Sequence, residues 1–99
     1  MVEVRWTEQS IEDIANIAEY IGNDSLRYAE AFVKRIFEKT EILVTQPTAG
    51  KIVPEIKNRA IRELLLGNYL IIYVVRIRHI DILTVFHSAR LLKNSSLFE

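Results

Sequence analysis

The sequence predicts an α+β domain of order β-α-α-β-β-β: an N-terminal strand, an α-helical hairpin, then a three-stranded antiparallel meander, with a short C-terminal helix or tail. Three observations carry this reading. Apolar residues recur at helical spacing between Ile11 and Leu43. Beyond Ala60 the apolar residues run instead in β-branched and aromatic blocks. Only Gly67-Asn68 and Arg78-His79 separate those blocks, and such short links join antiparallel neighbours.

Each element has its own signal. Val2, Val4 and Trp6 alternate with Glu3 and Arg5, which marks a short strand with one buried face. Trp6 reads as a core anchor. Thr7 offers a hydroxyl to cap a helix, and Glu8, Glu12 and Asp13 suit its positive end. Ile11, Ile14, Ile17, Ala18 and Ile21 form the apolar stripe of that helix, and Gly22-Asn23 stop it. Asp24 or Ser25 caps a second helix carrying Ala29, Phe32, Val33, Ile36, Thr40 and Leu43 on one face. It runs to about Thr45, because Pro47 lacks an N–H and restricts Gln46. Residues 47–58 read as a turn-rich connection, and 59–66, 69–77 and 80–87 as strands.

Length and composition bound the function. Ninety-nine residues, 49% hydrophobic and 26% charged, fit a single domain over 1–99 with little room for a deep cofactor pocket. Without cysteine there is no disulfide and no thiolate chemistry or ligation, and the two histidines have no metal-ligand spacing, so neither cofactor nor metal is expected. The apolar stretch Leu64–Val75 is too short to span a bilayer, and a cytoplasmic location is expected. Net charge is zero, yet residues 1–46 hold nine acids and five bases, and residues 47–99 hold eight bases and four acids. A basic C-terminal half suits an anionic partner.

Strand parity sorts the sheet into two faces. With two-residue turns at both links, Leu66 pairs with Tyr69 and Ile77 with Ile80. Leu64, Leu66, Tyr69, Ile71, Tyr73, Val75, Ile77, Ile80, Ile82 and Phe86 then meet the helices. The other face carries Leu65, Leu70, Ile72, Val74, Arg76, Leu83 and Val85, along with Ile61, Glu63, Asp81 and His87. One helical hairpin cannot cover both faces, so this second one is expected to bind a partner. A second copy of the chain would make the same use of it, giving a homodimer.

The chain resembles toxins of the RelE/ParE superfamily, plasmid stabilisation proteins that form the poison half of type II toxin–antitoxin modules. The resemblance rests on Trp6-Thr7, Ile14, Ile17, Tyr20-Ile21, Ala29, Phe32, Ile36, Pro47 and Gly50-Lys51. It continues through Ile61 to Leu64, Tyr69 to Tyr73, and Ile80 to Val85 into His87-Ser88-Ala89-Arg90. It implies a cognate antitoxin that wraps the protein, and one of two activities: poisoning DNA gyrase, as ParE-like members do, or ribosome-dependent cleavage of mRNA, as RelE-like members do. A third outcome is an inactive toxin-fold binding protein.

RNA cleavage needs a proton acceptor, a cation on the phosphate and a donor to the leaving oxygen. The candidates are His87, Arg90, Arg62 and Glu55, with Glu63 as another base and Arg76 as another cation. Arg62 also reads as the partner of a helix carboxylate such as Glu41. Nuclease members usually carry arginine where this chain has Leu70, and many place a tyrosine or a basic cluster near the chain end. The tail from Lys93 has one base and no tyrosine. These departures and the neutral overall charge favour the gyrase-directed branch and the inactive toxin-fold reading over RNA cleavage.

Overall fold

The computed structural model describes residues 1–89. Strand β1 (Glu3–Trp6) leads into helix α1 (Glu8–Gly22) and helix α2 (Leu26–Thr40), which a 3-10 turn extends over Glu41–Val44. Then come β2 (Lys51–Ile52), β3 (Ile61–Leu66), β4 (Tyr69–Val75) and β5 (His79–His87). The sheet order is β1-β5-β4-β3-β2, with β1 parallel to β5 and every other pair antiparallel. The expected α+β order is therefore present, with β2 as an extra two-residue edge strand in the 47–58 connection. The tail helix expected after Ala89 lies outside the described residues.

The helix starts follow from their caps. The Thr7 hydroxyl accepts the Ser10 N–H at 3.1 Å and itself donates to Ile82 O at 2.7 Å, so one residue starts α1 and fastens it to β5. Ser25, rather than Asp24, caps α2 by accepting the Tyr28 N–H at 3.2 Å. On the helix side of the sheet, Ile14, Phe32, Ile36 and Leu43 pack on Leu64, Ile71, Tyr73, Ile80, Ile82 and Val85. Trp6 lies against this core with its ring centroid 4.7 Å from that of Phe37. The Gly67-Asn68 turn is as expected: Leu66 pairs with Tyr69, Gly67 has φ 57°, and Asn68 keeps a negative φ. That combination belongs to a type II′ turn, whose first central position calls for glycine.

Two features of β5 depart from the expected pairing. Ile80 pairs with Val75, not Ile77, and Arg76 N–H donates to His79 O at 2.8 Å, so the two-residue turn is Ile77-Arg78 and Ile77 is 97% exposed at its tip. A register shift then falls between Ile72 and Tyr73, which pair with Thr84 and Ile82, so Leu83 is the extra residue of a bulge. Beyond it the faces exchange. Val85, expected on the open face, is buried in the helix-side core, and Phe86 joins Val53 and Ile72 on the other side.

Candidate functional site

Four tertiary contacts fix where the candidate residues stand. At one end of the sheet, the Tyr73 hydroxyl accepts the Gly50 N–H at 2.8 Å and donates to Pro47 O at 2.9 Å. Arg62, beside Tyr73 on β3, donates from Nη1 to Gly50 O at 2.9 Å and to Thr48 O at 3.4 Å. Burial pushes the Tyr73 phenol above its ordinary pKa, with the Gly50 N–H and Arg62 acting against that, so the hydroxyl keeps its proton for Pro47. Arg62 thus clamps the 47–50 turn instead of pairing with Glu41, and its cation is turned toward backbone carbonyls.

His87 stands at the opposite end. Its ring meets Tyr69 edge-on, with centroids 5.5 Å apart, and its Nδ1 accepts the Ala89 N–H at 3.1 Å. Tyr69 in turn packs on Phe32 at 5.0 Å. An open groove of about 440 Å³ runs past these rings, lined by Asp13, Asn16, Ile17, Tyr20, Tyr69, Val85, Phe86 and His87. Tyr69 and Tyr73 are four residues apart on one strand, so Arg62 and His87 stand roughly 13 Å apart along the sheet.

Asp13 carries a contact that no motif in the sequence announced. Its carboxylate accepts the Val85 N–H at 3.1 Å and the Thr84 hydroxyl. Strand β1 ends at Trp6, opposite Ile82, and Asp13 supplies the acceptor that a longer β1 would have offered to the rest of β5. The available signal was a carboxylate beside Ile14 on the flank of the apolar stripe.

Glu55 is exposed in the loop before β3, near Glu63. Glu63 pairs with Ile72 and Lys51, on the face away from Arg62 and Tyr73. Burial raises the Glu63 pKa above its ordinary value, Glu55 adds to the rise, and Lys51 opposes it. A raised carboxylate favours the fold while protonated, so this contribution is lost as pH rises through the folded pKa. Glu63→Gln is therefore expected to raise the melting midpoint at pH 7, and the gain should shrink as pH falls below the carboxylate range. Thermal melts across pH check this.

The structure thus leaves His87, Arg62 and Glu55 apart: one at each end of the helix side and one beyond the sheet. Arg90 lies outside the described residues. Among the described residues no three His, Asp or Glu side chains cluster to hold a metal ion. None of their helices is long and apolar enough to cross a membrane.

The face turned from the helices is less open than parity suggested. Val53, Ile72 and Phe86 form a buried cluster there, with Ile56, Ile61, Leu70 and Leu83 against it, so the chain's own 53–56 segment lies over part of the sheet. Of the expected partner residues, Ile72 and Val74 are buried and Val85 faces the helices. Arg76 is exposed and ion-paired to Asp81 at 3.1 Å. Leu65 is 57% exposed, and Leu70 and Leu83 are half-buried. These three leucines, with the half-buried Ile61, are what remains of the expected apolar face.

The family model described as ParE toxin of type II toxin-antitoxin system, parDE, matches residues 4–92. Among solved structures, a chain from the chromosomal ParDE system of P. aeruginosa is similar at TM-score 0.73 and 23% identity, covering 88% of this chain and 96% of that one. The solution structure of a conserved hypothetical protein from Helicobacter pylori is similar at TM-score 0.49 and 15% identity, over 93% and 100% of the two chains. No curated protein matches by sequence.

Proposed function

Because the chain belongs to the ParE toxin family of type II toxin–antitoxin systems, we propose that it inhibits growth by binding DNA gyrase and is held inactive by a cognate antitoxin. The family match across residues 4–92 carries this reading. The separation of His87, Arg62 and Glu55 supports target binding over RNA cleavage, since transfer of a proton across a phosphate needs acid, base and cation within hydrogen-bond reach of one substrate. Leu70, packed against the buried Val53–Ile72–Phe86 cluster, offers no charge to a phosphate.

The antitoxin would use the strip of Leu65, Leu70 and Leu83 and continue round the sheet end into the groove beside Tyr20 and Tyr69. An extended segment gathers contact area along such a path. A homodimer on the strip alone would have far less than the roughly 800 Å² per partner that stable interfaces bury.

Induction of the chain alone is expected to arrest growth, and co-expression of the antitoxin to restore it. Leu65→Arg is expected to weaken antitoxin binding about tenfold while leaving arrest intact, since it places a charge where an apolar side chain is covered. Titration calorimetry and a growth assay check the two halves. Harmless induction of the folded chain would contradict the reading.

A further inference from the structure

The loop end of the sheet, opposite the Gly67-Asn68 turn, gathers bases from two segments. The Ala60 carbonyl accepts the Val75 N–H at 2.8 Å, which brings the 57–60 segment, with Lys57 and Arg59, beside the start of the 76–79 loop, with Arg76 and Arg78. All four bases are exposed. Asp81 holds Arg76 at 3.1 Å and His79 at 3.3 Å. Among the described residues no carboxylate lies within ion-pair distance of Lys57, Arg59 or Arg78. At the apex of the same loop Ile77 is 97% exposed, beside an open hollow of about 690 Å³ lined by Val75 to His79.

Neither feature is accounted for by the fold. Ile77 and Arg78 are the two central residues of the β4–β5 turn, and the Ile77 side chain packs on nothing, an apolar choice that the turn does not require. We infer that this loop end, with Ile77 next to Arg78 and the segment carrying Lys57 and Arg59 alongside, is a docking surface for an acidic protein segment that carries an apolar side chain among its carboxylates. The cations select the sign of the partner and speed its approach, while Ile77 supplies apolar area that only a covering partner removes from water.

Nucleic acid is the less suitable anion. The chain has zero net charge and a pI of 6.7, and Asp81 sits within the basic cluster, where it would repel a phosphate backbone. A protein segment can direct its carboxylates to Arg59 and Arg78 and avoid Asp81. The surface is separate from the leucine strip and the Tyr69 groove, and its assignment does not depend on gyrase as the target.

The test uses fluorescence anisotropy with the full chain and two labelled probes: a peptide of Asp and Glu interspersed with leucine, and a short DNA duplex. The peptide is expected to bind more tightly than the duplex. Arg59→Glu and Arg78→Glu should each weaken the peptide about tenfold at low ionic strength, with a smaller effect at about 0.5 M salt. Ile77→Ser should weaken it about fivefold at either salt concentration. These positions are exposed, and circular dichroism should show the variants folded. Tighter binding of the duplex would make the patch a nucleic-acid site and overturn the inference. So would peptide affinity unchanged by the charge reversals, or salt-sensitive self-association that the same variants abolish.

Discussion

Gly50→Ala is expected to lower the thermal midpoint by about 10–20 °C, the shift that roughly 3 kcal/mol produces in a domain of this size. A Cβ at Gly50 would lie 2.5 Å from Glu63 O, 2.6 Å from the Tyr73 hydroxyl and 2.8 Å from Tyr73 Cε1. The first is strand backbone and the others belong to a fully buried ring, so neither can yield cheaply. Relief requires the 47–50 turn to lift, and lifting breaks the bonds among Tyr73, Pro47, Gly50 and Arg62 together. Gly67→Ala is the control. A Cβ at Gly67 would meet no atom within 4 Å, so the cost is that of holding φ 57° with a side chain, about 1 kcal/mol. Differential scanning calorimetry of the two variants separates collision from backbone strain.

Asp13→Ala is expected to cost about 3 kcal/mol, because it strips two donors of one charged acceptor. The Val85 N–H and the part-buried Thr84 hydroxyl would both be left without it. The effect should concentrate at the bulge, where Val85 faces the helices and Phe86 faces away. Hydrogen exchange provides the local readout: the Val85 amide should lose protection, while Ile71 and Ile72 on the neighbouring strand keep theirs. Asp13→Asn keeps an acceptor and should recover part of the stability.

Most of what the sequence made legible was local. Thr7 and Ser25 cap helices through atoms three residues away, and Gly67 meets the demand of a two-residue turn, whereas α2 ends at Thr40 and gives way to a 3-10 turn before Pro47 is reached. Long-range pairing was harder to read. The Leu83 bulge has no mark in its own strand, because the Asp13 contact that holds it comes from about seventy residues earlier. One inserted residue exchanges every side chain beyond it, and this moved Val85 into the core and Phe86 out of the helix side. The β4–β5 turn misled differently, by moving the pairing two positions without exchanging faces: Ile77 reads as strand by composition, yet Val75 is the residue that meets Ile80.

For the candidate site, residue types were legible and their grouping was not. Arg62 and His87 do share the helix side, but four strand positions and a packed core separate them, and Glu55 lies across the sheet. Spacing along a chain cannot convey that separation once strand lengths and register are uncertain. The resemblance was informative because it depends on the order of many weak features and on no single contact.

Gyrase-driven DNA supercoiling, measured with the purified chain and then with an antitoxin added, separates gyrase binding from RNA cleavage. Supercoiling is expected to fall as the chain is added and to recover when antitoxin is supplied. Undiminished supercoiling, together with ribosome-dependent cleavage of mRNA by the same preparation, would contradict gyrase binding.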